Sequence, residues 1–166
     1  MENIILCGMM GCGKTTCANL LGEALGRQVV DTDDLVVKKA GMSISELFAA
    51  QGETAMRDLE TEVARELSRR SDLIIATGGG LPLREENRQL LRDTGIVVFL
   101  RRDPGEIYDT ADMSARPLGQ QGRDAFLSRF AQREPIYQEF SHIIIHDFSS
   151  PEATVAEILT KLEGKL

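Results

Sequence analysis

The sequence predicts one α/β domain, a parallel sheet of five short strands with helices on both faces. Five short apolar runs alternate with stretches of helical periodicity along the chain. The first run leads into Gly8-Met9-Met10-Gly11-Cys12-Gly13-Lys14-Thr15, which fits G-x-x-x-x-G-K-[ST]. A helical pattern follows at once, so the loop has the strand–loop–helix setting that phosphate cradling requires. No repeat, low-complexity tract or linker divides the 166 residues, a length that suits one domain spanning 1–166.

The first strand is residues 3–7, and the helix behind the loop carries Cys17, Ala18, Leu20, Leu21, Ala24 and Leu25 at helical spacing. Loop glycines let backbone N–H groups converge on phosphate oxygens, and the helix N-terminus adds its positive dipole end. In this pattern Lys14 reaches the β- and γ-phosphates and the Thr15 hydroxyl ligates Mg²⁺. Cys12, beside Lys14, reads as a small residue that fits the turn, with raised reactivity as the alternative.

The second strand, residues 28–30, runs into Asp31-Thr32-Asp33-Asp34. Carboxylates at the end of a parallel strand lie where open α/β sheets bind ligands. Three of them beside a polyphosphate repel unless a metal or a hydroxyl donor is present, which marks a functional role for at least one. On period-two spacing Asp31 and Asp33 share a face, and Asp33 or Asp34 caps a helix beginning near Leu35. Ser43-Ile44-Ser45-Glu46 is a capping box that opens a short helix, interrupted by Gly52. A longer helix then runs to about Arg70 with Met56, Leu59, Val63 and Leu67 on its apolar stripe. Arg57 and Glu60 are neighbours on it. From spacing alone they read as a solvated surface pair, the alternative being a carboxylate-gripping Arg held in place by Glu60.

The third strand, residues 72–76, ends in Thr77-Gly78-Gly79-Gly80 where many such proteins carry a metal-binding Asp. The metal carboxylate must come from elsewhere, with Asp31 the best candidate, and the glycines allow close approach of a ligand to backbone. A helix through Leu90 and Leu91, a fourth strand over 95–100 and a short helix over 103–108 follow. Residues 109–122 are polar, with little apolar periodicity, and read as a lid that excludes water during phosphoryl transfer. Arg116 is the basic residue in it, suited to stabilising charge on the transferring group. The next helix carries Phe126, Phe130, Arg129 and Arg133, and Pro135 inside it should kink or break it. A fifth strand over 142–146 has two structural or surface histidines, and Pro151 opens the last helix.

The formal net charge of −7 argues against nucleic acid or an anionic membrane as partner. An anionic ligand must then be caught by local clusters of Arg and Lys. No apolar run approaches the roughly 20 residues that span a bilayer, and the N-terminus lacks the pattern of a signal peptide. Three cysteines, with no C-x-x-C, indicate neither a disulfide framework nor a zinc site and point to a reducing, cytoplasmic setting. A monomer is the default.

Taken together, six motifs in order resemble the shikimate kinase family over nearly the full length: the loop at residues 8–15, Asp31-Thr32-Asp33, Arg57 with Glu60, Gly78-Gly79-Gly80, Arg116-Pro117-Leu118, and Arg133-x-Pro135-x-Tyr137. The resemblance implies a three-layer α/β/α P-loop kinase fold with strand order 2-3-1-4-5 and a substrate-binding region near 33–60. It implies transfer of the γ-phosphoryl of ATP to the 3-hydroxyl of shikimate, on the route to chorismate and the aromatic amino acids. By the same resemblance Arg57 and Arg133 grip the substrate carboxylate, Glu60 orients Arg57, Asp33 accepts from the 3-hydroxyl and Gly79 offers its N–H. Gly11, Cys12, Gly13, Lys14, Thr15 and Thr16 hold ATP, Asp31 orders Mg²⁺ alongside Thr15, and Arg116 descends with the lid. The chain departs from the family at Met56, often aromatic, at Asp109, often Arg, and at Ser150, where a basic residue commonly packs on adenine. A gluconate or nucleotide kinase of the same fold, or a non-catalytic kinase-like module, are the alternatives.

Overall fold

The computed structural model describes residues 2–110 and 122–165. Its strands are β1 (Asn3–Cys7), β2 (Gln28–Asp31), β3 (Leu73–Ala76), β4 (Gly95–Leu100) and β5 (Ile143–Ile145). Its helices are α1 (Lys14–Leu25), α2 (Thr32–Ala40), α3 (Ile44–Leu67), α4 (Glu85–Arg92), α5 (Pro104–Thr110), α6 (Arg123–Phe140) and α7 (Pro151–Leu162), with a 3-10 turn at Leu81–Leu83. The sheet order is β2-β3-β1-β4-β5, every neighbouring pair parallel, as expected. Ile5 of β1 sits opposite Ile75 on one side and Val97 on the other. Ile4 and Ile5 point to opposite faces, yet neither is exposed at all, so both faces of the sheet are covered. A strand buried on both faces has no use for polar alternation, which is why β1, β3 and β4 read as plain apolar runs. Asn3 stitches the start of β1 to β3: its Nδ2 donates to the Arg70 carbonyl at 3.0 Å and its Oδ1 accepts from Leu73 N at 2.9 Å.

Three boundaries differ from expectation in ways that matter. The helix after β2 begins at Thr32, not near Leu35, and Asp31 is its N-cap: the Asp31 side chain accepts from Asp33 N at 2.9 Å. An extended Asp that captures the first open N–H lets the helix start directly from the strand. Asp31 and Asp33 therefore do not share a strand face; Asp33 stands on the first helical turn. Helix α6 passes through Pro135 without a break. Phe126, Phe130 and Arg133 before it and Tyr137 and Phe140 after it are all buried, and packing along both halves offsets the roughly 3 kcal/mol that an interior proline costs. Helix α5 extends to Thr110, so Asp109 and Thr110 are helical; Asp109 pairs with Arg123 at 3.1 Å, joining α5 to the start of α6. The rest of the stretch read as a lid, Arg116 included, lies outside the described residues save Gly122.

The break expected at Gly52 is present, with φ 85° and ψ 177° inside α3. Ser43 Oγ accepts from Glu46 N at 3.1 Å, capping the first segment. Among the described residues no helix is long and apolar enough to cross a membrane.

Candidate active site

Loops from the C-terminal ends of β1, β2 and β3 meet the N-terminal part of α3's second segment and the middle of α6. The phosphate loop turns on Gly8, Gly11 and Gly13, at φ 151°, 80° and 98°, values open to glycine and costly for other residues. Lys14 is buried, and its Nζ donates to the carbonyls of Gly8 at 2.7 Å and Met9 at 2.9 Å. Cys12 is buried too, its Sγ 3.8 Å from that ammonium. Burial pushes the neighbouring thiols up, Cys17 to about 11 and Cys7 further, so both stay protonated.

Asp31 uses both oxygens. One caps α2, and Oδ2 accepts from the Thr15 hydroxyl at 2.9 Å. A hydroxyl and a carboxylate brought together at the phosphate loop are hard oxygen donors of the kind Mg²⁺ takes, one or two from protein and the rest from phosphates and water. The residues present thus fit that ion. The nearby Asp34 carboxyl is pushed up by burial and by the Asp31 charge.

The turn after β3 is fixed from two sides. Thr77 donates to the Leu6 carbonyl through its hydroxyl at 2.9 Å, and Gly78 N donates to the buried Thr32 hydroxyl at 2.7 Å. A Cβ on Gly78 would run into the Asp33 carboxylate, and one on Gly80 into the Arg57 guanidinium. These two glycines therefore make room for the protein's own side chains as well as lining the cavity where the sequence suggested close approach of a ligand. Gly79 lies against Met10 and Arg133. Its carbonyl accepts from the Tyr137 hydroxyl at 2.5 Å, a supporting residue that spacing did not reveal although it stands in the quoted motif.

The expectation of a solvated Arg57–Glu60 pair does not hold. Arg57 is 8% and Glu60 3% exposed. Arg57 Nη1 donates to Glu60 Oε1 at 2.8 Å and Nη2 to Glu53 Oε1 at 3.1 Å. The kink at Gly52 redirects the helix, and Met56, Val63 and Leu67 on the same stripe draw this face inward. Burial pushes the Glu60 carboxyl above the usual carboxylate range while Arg57 pulls it back, and the Glu60 charge in turn raises Arg57. Arg133, 5% exposed, comes from the facing α6. One turn earlier, Arg129 is lowered by burial and by the Arg133 charge.

One cavity of about 500 Å³ joins these parts. Gly11, Gly13, Lys14, Thr15 and Thr16 line one end, Asp31 and Asp33 the middle, and Arg57, Glu60, Gly79 and Arg133 the other end. Met10, Ile44, Phe48 and Met56 add apolar wall. Cys12 instead lines a second cavity of about 340 Å³ with Phe148, Ser150 and Arg102. Ser150 is engaged as the cap of α7, accepting from Ala153 N at 3.0 Å. Arg102, just after β4, is the basic group at that cavity, and nothing in its local sequence marked it.

The family model "Shikimate kinase" matches residues 10–163. The chain belongs to the shikimate kinase family. The shikimate kinase of Symbiobacterium thermophilum is 42% identical over 169 residues, covering 98% of this chain and 97% of that one. Among solved structures, a shikimate kinase from Acinetobacter baumannii in complex with shikimate superposes with a TM-score of 0.90 at 34% identity, covering 98% of this chain and 93% of that one. The shikimate kinase from Aquifex aeolicus gives 0.84 at 36%, with 98% and 96% covered. These two structures match the fold over nearly their whole lengths, and the P-loop kinase fold expected from the motifs is the fold observed.

Proposed function

We infer that this chain is an ATP-dependent shikimate kinase, giving ADP and shikimate 3-phosphate on the way to chorismate and the aromatic amino acids. The observation that carries it is the single cavity with a phosphate loop at one end, two buried guanidiniums at the other, and Asp33 between. Shikimate has one carboxylate and three hydroxyls. Its carboxylate would lie on Arg57 and Arg133, a pair of forked cations suited to a planar anion, with Glu60 fixing Arg57. That places the ring between them and the phosphate loop.

The ATP phosphates would lie on Gly11, Cys12, Gly13, Lys14, Thr15 and Thr16, with the adenine toward Phe148 and Arg102. Thr15 and Asp31 would hold Mg²⁺, which would supply positive charge against that of the phosphates. Asp33 accepts from the 3-hydroxyl and keeps its oxygen aimed at the γ-phosphorus. As the new P–O bond forms, the bond to the ADP oxygen breaks and the hydroxyl proton leaves toward Asp33. Because the transition state is loose, positioning and charge stabilisation carry most of the rate. Arg116 completes the set by resemblance. The three free, buried cysteines favour a reducing cytoplasm, and we propose a monomer.

The test is coupled ADP release with Mg²⁺-ATP and shikimate, gluconate, AMP or no acceptor. Release with shikimate alone is expected. Equal release with gluconate or AMP would contradict the carboxylate grip, and no release with any acceptor would favour a non-catalytic module.

A further inference from the structure

Gly13 and Thr16 line both cavities, so a molecule with its phosphates on the loop reaches from the first into the second. The two sides of the second cavity differ. On one side the segment leading into α7 is fixed by its own groups. Asp147 Oδ1 accepts from the amide and the hydroxyl of Ser149 at 3.0 and 2.7 Å. The Thr154 hydroxyl lies 2.7 and 3.0 Å from the Asp147 and Ser150 carbonyls, and Ser150 Oγ caps the helix. With those hydroxyls engaged inside the loop, its apolar lining is Phe148 and Pro151. On the other side stands Arg102, the basic residue among the described ones that line this cavity. Its Nε and Nη2 both donate to Glu106 Oε1, at 3.3 and 2.9 Å. These two nitrogens share one edge of the guanidinium, so the contact sets its plane as well as its position. A planar, delocalised cation opposite apolar surface suits the flat face of a nucleobase. A cation meant for phosphate charge would stand beside Lys14 and Thr15, and Arg102 does not line that cavity.

We propose that Arg102 is a base-binding residue: its guanidinium, held in plane by Glu106, stacks on the nucleobase of ATP against the side formed by Phe148 and Pro151. This rests on the ATP-dependent reading above and adds the group that holds the base. Arg102 then contributes to nucleotide affinity through the base alone, and Glu106 contributes only by positioning Arg102. A lysine at the same place keeps the charge but loses the plane.

The experiment measures binding of Mg²⁺-ADP and of inorganic tripolyphosphate by calorimetry, and the KM for ATP and for shikimate. It compares the wild type with Arg102→Ala, Arg102→Lys and Glu106→Gln, with melting curves to verify folding. Arg102→Ala is expected to weaken Mg²⁺-ADP and raise the ATP KM by about three- to tenfold, the worth of a partly desolvated cation on a π-face. Arg102→Lys should recover less than half of that loss, and Glu106→Gln should show a smaller loss in the same direction. Tripolyphosphate binding and the shikimate KM should stay within about twofold of wild type in all three. Tripolyphosphate weakened in step with Mg²⁺-ADP, or full rescue by lysine, would make Arg102 a charge for phosphates and overturn the base-binding role. Mg²⁺-ADP binding unchanged in Arg102→Ala would overturn it too. A wild type that binds neither Mg²⁺-ADP nor tripolyphosphate would instead overturn the ATP-dependent reading itself.

Discussion

The phosphate end of the cavity is one continuous loop, residues 8–15, whose work is done by backbone groups and a single lysine. The opposite end is assembled from α3 and α6 and works through side chains, with Arg57, Glu60 and Arg133 all nearly buried. The first kind of site tolerates any triphosphate-bearing partner, because backbone N–H groups recognise phosphate and little else. The second is specific and more fragile, because its two buried guanidiniums come from different helices and the buried Arg57–Glu60 pair fails if either member is lost. Catalytic power should therefore fail most when the loop is damaged, and acceptor choice when the helices are.

Lys14→Met separates the two ends most strongly. Removing a cation from the developing phosphoryl charge should lower kcat by at least about 10²-fold, while shikimate binding measured by calorimetry stays within about twofold. A comparable loss of shikimate binding would show that the ends are not independent. Asp33→Asn, at the junction, keeps an acceptor and removes the charge. If Asp33 mainly positions the hydroxyl, kcat should drop by about tenfold, short of the roughly 10² or more expected for an obligatory general base.

Tyr137→Phe probes the support behind the acceptor end. It removes the hydroxyl that holds the Gly79 carbonyl, worth about 1 kcal/mol, and should raise the shikimate KM severalfold and lower the melting temperature by a few degrees, with the ATP KM unmoved. The smallest effect is one of pH. Burial raises the Glu60 carboxyl, so as pH falls Glu60 is protonated sooner than an ordinary glutamate and loses its charge on Arg57. The shikimate KM should begin to climb above the usual carboxylate range, and Glu60→Gln should flatten that limb. A wild-type profile that is flat there would mean that Arg57 needs no ionised Glu60.

The same contrast explains what could be read from the sequence. The phosphate loop is a local pattern, and its strand, turn and helix follow within residues 3–25, so fold class and nucleotide end were legible from spacing. The Arg57–Glu60 pair was not: i, i+3 spacing describes surface and buried pairs alike, and only the kink at Gly52 with the packing of α3 decides between them. Resemblance to the family implied a role for the pair that its spacing did not, and the structure shows the pair buried. A second need for Gly78 and Gly80 was not legible, because the side chains they admit, Asp33 and Arg57, come from about 23 to 45 residues away in sequence. The helix runs on through Pro135 because the proline's cost is local while the compensating burial of Phe126, Phe130, Tyr137 and Phe140 is a property of the whole fold.

The most direct test is a two-ligand titration of Arg133→Ala. Truncating a buried, paired cation in a binding site costs about 2–5 kcal/mol, so shikimate affinity should fall by at least about 30-fold. The affinity for an ATP analogue should stay within about twofold of wild type. Loss of both affinities together, or retention of shikimate binding, would contradict an acceptor end that recognises a carboxylate independently of the phosphate loop.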